Sequence, residues 1–192
     1  MNSLVIFEIV LVISAIGALF LMRRTYFPMN LFWAIGVVSI GAAALLGALV
    51  YSGFADLKYA HGILSSFAGT IGLSSFALAA IGGAFPRQFH AAGWWIVLIA
   101  VCLLAGILLF GYWKFPDEGR YAVVGILALA GLYRLFTNPS SGAFLVLGVA
   151  LLVLAGLANA WIGKMTGVNA LNILHILMSG SVLSFGVFAA KE

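Results

Sequence analysis

The stretch SLVIFEIVLVISAIGALFLM, residues 3–22, carries a single charged side chain, Glu8, in its whole length. A helix needs about 20 mainly apolar residues to cross the hydrocarbon core of a bilayer. The run is too long for a strand, and it lacks the alternation of a membrane-barrel strand. Arg23 and Arg24 follow it and no basic residue precedes it. This is the reverse of the charge order of a cleavable signal peptide, so we predict a retained first membrane helix.

The same pattern recurs along the chain. Of the 192 residues, 65% are hydrophobic and only 7% are charged, whereas about a quarter are charged in soluble domains. The segments between the apolar runs hold all four prolines and most of the charges, as loops do. We therefore expect an all-α membrane bundle, a single seven-span domain over residues 1–192. The predicted spans are 3–22, 31–51, 60–84, 94–113, 120–136, 143–162 and 170–190.

Basic residues near the span ends divide almost equally between the two faces. One face receives Arg23, Arg24, Arg87, Arg134 and Lys191, and the other Lys58, Lys114, Arg120 and Lys164. Because a pair of arginines flanks the first span, which often dominates, we expect the first face to be cytoplasmic. The amino terminus is then outside and the carboxyl terminus inside, in a bacterial inner (plasma) membrane. We expect Arg134 to extend its side chain to the lipid headgroups.

The charge pattern also bears on partners. The net charge of +4 comes from scattered basic residues, which excludes the basic footprint of a nucleic-acid-binding protein. Membrane lipids are the expected partners. Rows of small residues favour close helix packing, with a homo-oligomer interface or the floor of a ligand site as alternatives. The rows are Ser39, Ala43 and Gly47 in the second span, and Gly62, Ser66, Thr70 and Ser74 in the third.

Ionisable and polar side chains inside the spans are the functional candidates, because burying them in lipid is costly. Following seven spans back and forth places six of them in one leaflet. They are Glu8, His61, Asn159, Asn169, Asn172 and His175. Asn172, His175 and Ser179 lie at i, i+3 and i+7, so they form one helix stripe that should face the bundle interior. We predict that this stripe forms a pocket together with Asn159 and Asn169. We also predict that Glu8 is the partner of His175.

One hypothesis for this group is zinc-dependent hydrolysis. Seven spans and the motif N-x-x-N-x-x-H of Asn169, Asn172 and His175 resemble the alkaline-ceramidase-like superfamily of membrane hydrolases. The resemblance implies a zinc-bound water that cleaves amide or related bonds in a lipid-like substrate. It places His175 as a ligand and Ser65 or Ser66 as the family serine. The chain departs from the family because its second span ends LVYSGF, without histidine, and no second histidine lies one turn from His175. A set of Glu8, His61 and His175 would supply three zinc ligands.

Three alternatives stay open on the residues alone. His61 and His175 lie beside small residues and could be the axial ligands of haem b. The polar stripe from Asn169 to Ser179 could line the path of a small-solute transporter or channel, although no span is broken by a central proline. A non-catalytic membrane subunit is the remaining alternative. The sequence therefore leaves open whether the chain is an enzyme, and its cofactor, zinc or haem b, stays a hypothesis.

Overall fold

A computed structural model describes residues 3–84, 91–111 and 115–192, without the side chains of residues 84, 91, 92, 159 and 160. The described residues form helices and contain no strand. The helices are α1 (Ser3–Met22), α2 (Met29–Ser52), α3 (Lys58–Phe67), α4 (Leu73–Ala84), α5 (Ala91–Leu109), α6 (Asp117–Thr137), α7 (Pro139–Leu157), α8 (Gly163–Thr166) and α9 (Ala170–Lys191). Two π-helical turns interrupt regular geometry, the first π-turn at Ala68–Gly72 and the second at Ala158–Ile162.

The predicted all-α architecture is confirmed, whereas the count of seven spans stays a prediction. Six helical segments of the described chain are long and apolar enough to cross a membrane. The third of these segments, Ala55–Gly83, is continuous and contains α3, the first π-turn and α4. The seventh apolar helix, α5, is shorter over its described residues, Gly93–Leu109. The bundle is thus the kind expected of a membrane protein, and its direction of insertion stays a prediction.

The spans pack as a closed ring. The first span packs against the last, since α1 contacts both α9 and α2. The ring continues from α2 to α3 and α4, from α4 to α6, from α6 to α7, and from α7 back to α9. Helix α5 packs outside this ring, against α3 and the first π-turn and, through Trp94, against Phe32. Closure of the ring matters for function because it brings the beginnings of α1, α3 and α9 to one end of the bundle.

Aromatic side chains fill the opposite end of the ring. Trp33 lies with its ring centroid 5.6 Å from Phe76, 5.7 Å from Phe185 and 5.6 Å from Phe188. These rings are fully buried. Gly36 makes room for one of them, since a Cβ added there would lie 2.7 Å from Cζ of Phe76. This end of the bundle is therefore filled by tightly packed aromatic rings.

At the same end as the aromatic core, Arg134 forms an ion pair with Glu192. The Glu192 carboxylate also accepts a hydrogen bond of 2.6 Å from the hydroxyl of Ser141. The Glu192 side chain is only 4% exposed. Arg134 thus has a partner within the protein that the sequence did not reveal, the buried carboxylate at the end of α9, and its reach to the headgroups stays a prediction.

Candidate functional site

A cavity of about 360 Å³ lies inside the ring, in the half that holds Glu8. Its polar lining comes from only four side chains, which are Glu8, His61, Ser65 and His175. The rest of its wall is apolar and comes from α1, α2, α7, α9 and the segment from α3 to α4. The apolar lining residues are Leu11, Ile40, Ala43, Ala44, Ala68, Gly69, Leu73, Phe76, Leu152, Ala155, Gly156, Leu174 and Met178.

Glu8 and His175 face each other at this cavity. Oε1 of Glu8 lies 3.2 Å from Nε2 of His175, and the two residues are 1% and 7% exposed. The distance is that of an ion pair, but Oε1 accepts no aligned hydrogen bond. The structure thus brings together the two residues that the sequence placed at one depth, and closure of α1 against α9 is the reason.

Gly47 of α2 makes the space in which the Glu8 carboxylate lies. A Cβ added to Gly47 would lie 2.6 Å from Cδ of Glu8 and 3.1 Å from Cε1 of His61. Even the smallest side chain would therefore displace one of the two groups. Ala43, one turn earlier, lines the cavity. The row of small residues on α2 is thus part of the floor of the site, one of the alternatives that the sequence left open.

The orientation of His61 follows from a single hydrogen bond. Its Nδ1 lies 3.0 Å from the backbone carbonyl oxygen of Ala43. A carbonyl can only accept, so Nδ1 carries the proton, and in the neutral ring Nε2 is an acceptor. The ring also lies edge-on to Tyr51, with centroids 6.2 Å apart. His61 therefore turns into the bundle and reaches the cavity, although it stands near the beginning of α3.

Two buried polar atoms at the site lack a hydrogen bond within the described part of the chain. They are Oε1 of Glu8 and Nδ1 of His175. Leaving such an atom unsatisfied costs about 1–3 kcal/mol, and more where the group is charged. Most buried polar groups in proteins are paired, so exceptions call for a functional explanation. These two atoms make the Glu8 and His175 pair the polar feature of the site that calls for a functional explanation.

The other predicted pocket residues do not line the cavity. Asn169 caps α9, where its side-chain oxygen accepts a hydrogen bond of 2.9 Å from the backbone N–H of Leu171. Asn172 donates a hydrogen bond of 3.2 Å to the hydroxyl of Ser3. Ser179 donates one of 2.8 Å to the backbone carbonyl of His175. The stripe of Asn172, His175 and Ser179 is buried in the bundle as predicted, but of these three only His175 lines the cavity. Asn169 caps its helix and Ser179 bonds within its own helix instead. The side chain of Asn159 lies outside what the structure describes.

The arrangement does not fit the predicted zinc site. Among the described residues, no group of three or more His, Cys, Asp or Glu side chains could hold a metal ion. Glu8 and His175 lie side by side, with Oε1 3.2 Å from Nε2, but His61 does not join them in such a group. Zinc sites with three protein ligands need all three to converge on one point.

The predicted haem site does not fit either. Axial ligation by His61 and His175 requires a ring nitrogen of each to face the iron. In His175, Nε2 faces the Glu8 carboxylate at 3.2 Å, and Nδ1 is buried against the chain itself. Neither nitrogen of His175 is directed to a macrocycle. No step of a mechanism is therefore built on zinc or haem.

Two features of the site had no clear signal in the sequence. The first π-turn contributes Ala68 and Gly69 to the cavity wall, and the second π-turn begins directly beyond the wall residues Ala155 and Gly156. A π-turn widens a helix locally at some cost, and such turns are frequent at functional sites. The glycines and alanines of these segments are common in membrane helices generally, so they did not single out the turns.

The cavity reaches the outside of the bundle between α3 and α7. Ser65 on α3 and Gly156 on α7 both line the cavity, and both are exposed. Along the described residues, α3 and α7 do not pack extensively against each other. A Cβ added to Gly156 would meet no atom within 4 Å. We call the gap between Ser65 and Gly156 the mouth of the cavity.

Comparison with protein-family models, with curated proteins and with solved structures finds no match for this chain. The resemblance to the alkaline-ceramidase-like superfamily thus stays a prediction from the sequence.

Proposed function

We propose that the protein binds a small lipid-soluble molecule, which enters the cavity from the bilayer and places its polar group beside Glu8, His61 and His175. The main support for this proposal is a cavity of about 360 Å³ whose wall is mainly apolar and whose few polar side chains include Glu8, His61 and His175. Ligand sites in proteins have volumes of about 300–1,000 Å³ and combine apolar walls with a few placed polar groups.

The buried Glu8 and His175 support a binding function rather than a purely structural one. Removing a charged group from water costs several kcal/mol, even when it is paired. A bundle could fill the same space with apolar side chains at no such cost. Ionisable residues inside a membrane bundle are for this reason functional candidates by default. A ligand-binding role at the apolar cavity would account for the presence of Glu8 and His175 in the bundle interior.

The position of the mouth supports access from the bilayer. It opens between two long apolar helices, α3 with its continuation and α7, that are both candidate membrane spans. A ligand that diffuses in the hydrocarbon region would reach the mouth without crossing water. An apolar wall also matches a ligand that partitions into lipid, because its burial needs no new polar partners beyond those at Glu8, His61 and His175.

The other hypotheses have less support. Among the described residues, Glu8, His61 and His175 are not grouped so that they could hold a metal ion, and Nε2 of His175 faces the Glu8 carboxylate. A transport path through the bundle would have to pass the rings of Trp33, Phe76 and Phe185, which occupy the other half of the ring.

Mass spectrometry of the protein purified in lipid nanodiscs tests the proposal. A mouth variant, Ser65→Trp with Gly156→Trp, places two indole rings at the opening of the cavity. A control variant, Gly62→Trp with Gly125→Trp, changes two exposed positions where an added Cβ meets no atom within 4 Å. We expect a lipophilic molecule to copurify with the wild type and the control variant and to be lost from the mouth variant. Equal retention by both variants would overturn the proposal.

A further inference from the structure

The hydrogen-bonding state of the site restricts the polar group that a ligand can carry. Nδ1 of His61 donates to the carbonyl of Ala43, so its Nε2 is the acceptor of the neutral ring. Among the described residues, the bond to Ala43 is the only hydrogen bond of the His61 ring, and the Tyr51 ring lies edge-on to it without a hydrogen bond. A group that binds Nε2 of His61 must therefore bring its own hydrogen, as an O–H or N–H does.

The charges at the site restrict the ligand further. A proton between Glu8 and His175 leaves the pair uncharged as a whole, whichever of the two groups holds it. Burial favours such a net-neutral state. A carboxylate ligand would add a negative charge beside Oε1 of Glu8, which already lacks a hydrogen bond. An ammonium ligand would have to cross the hydrocarbon region with its charge to reach the mouth. A neutral head group meets neither penalty.

We propose that the ligand carries a neutral hydroxyl group that donates a hydrogen bond to Nε2 of His61. The inference rests on the proposed binding function and deepens it, because it names the ligand class as alcohols or phenols with an apolar body. The hydroxyl oxygen then remains free to accept a hydrogen bond, and the Glu8 and His175 pair holds the nearest proton. Three of the four polar side chains of the cavity, Glu8, His61 and His175, thus surround the hydroxyl group of the ligand.

Competition photolabelling in lipid nanodiscs tests this inference. The probe is an alkyl alcohol with a diazirine in its chain, and the readout is its label on Met178, which lines the cavity. The competitors are octanol, its methyl ether and octanoic acid. Octanol and the ether differ by the hydroxyl hydrogen. Concentrations are expressed as mole fractions in the bilayer, which removes differences in partitioning.

Two single variants separate recognition from structure. His61→Asn keeps an N–H that can donate to the Ala43 carbonyl, but it has no acceptor at the position of Nε2. Ser65→Ala removes the other neutral polar side chain of the cavity. We expect octanol to compete about tenfold better than its ether in the wild type, as one hydrogen bond predicts. The ratio should fall to about one in His61→Asn and should persist in Ser65→Ala.

Equal competition by octanol and its ether in the wild type would overturn the hydroxyl inference. So would an unchanged ratio in His61→Asn, or octanoic acid as the strongest competitor. In each of these cases the competitors still reach Met178, so the proposed binding function stands. If no competitor reduces the label on Met178, the binding function itself fails, and the two failures are thereby distinguished.

Discussion

The substitution Gly47→Ala should destabilise the protein through the functional site. The new Cβ would lie 2.6 Å from Cδ of Glu8 and 3.1 Å from Cε1 of His61. Overpacking of a buried position costs about 1–3 kcal/mol. Alanine stabilises a helix by up to about 1 kcal/mol relative to glycine. The control variant Gly62→Ala measures this stabilisation alone, since no atom lies within 4 Å of its added Cβ. Because both variants share the helix gain, we expect them to differ in free energy of unfolding by the overpacking cost, about 1–3 kcal/mol.

The assay is reversible unfolding in mixed micelles, with helix content followed by circular dichroism. A double variant, Gly47→Ala with Glu8→Ala, shows whether the carboxylate is the group displaced. Removing the Glu8 side chain relieves the crowding at Gly47→Ala. The free energy of unfolding of the double variant should therefore exceed the value expected from adding the two single-variant changes by at least about 0.5 kcal/mol. If Gly47→Ala is as stable as Gly62→Ala, the described position of Glu8 against α2 is refuted.

Two further predictions concern the packing that supports the site, with free energies of unfolding measured in the same assay. Gly36→Ala should cost about 1–3 kcal/mol, because its Cβ would lie 2.7 Å from Cζ of Phe76; stability equal to that of Gly125→Ala would contradict the aromatic core. Ser181→Ala should cost about 0.5–1 kcal/mol, because its hydroxyl donates a 2.8 Å hydrogen bond to the carbonyl of Gly148 on another helix. Ser184→Ala, whose hydroxyl bonds the carbonyl of Gly180 within its own helix, is the control and should change little.

The helical spans could be predicted from the sequence because the bilayer imposes a length on them. The predicted span 170–190 and α9, Ala170–Lys191, nearly coincide. The start of the sixth span was harder to place, since α7 begins at Pro139, four residues before the predicted start. Apolar runs define where a membrane helix can lie, but the first and last turns depend on local contacts that composition does not report.

The site was predictable in part. Depth along the spans placed Glu8 and His175 at one level, and ring closure then brought them into contact. The same reasoning failed for Asn169, Asn172 and Ser179, because sequence spacing gives a helix face but not the partner that each side chain finds. A helix cap, a hydroxyl on α1 and a backbone carbonyl satisfy these three. The inward turn of His61 depends on its bond to Ala43, a contact between two helices that spacing along one helix cannot reveal.

The central claim is that a lipid-soluble molecule enters the cavity between α3 and α7, and photolabelling in nanodiscs tests it most directly. An alkyl diazirine alcohol should label Met178 in the wild type and in the control variant, Gly62→Trp with Gly125→Trp. Label on Met178 should largely disappear in the mouth variant, Ser65→Trp with Gly156→Trp. Label on Leu129, which is 68% exposed on α6, should be the same in all three. Equal labelling of Met178 in the mouth and control variants would contradict the account.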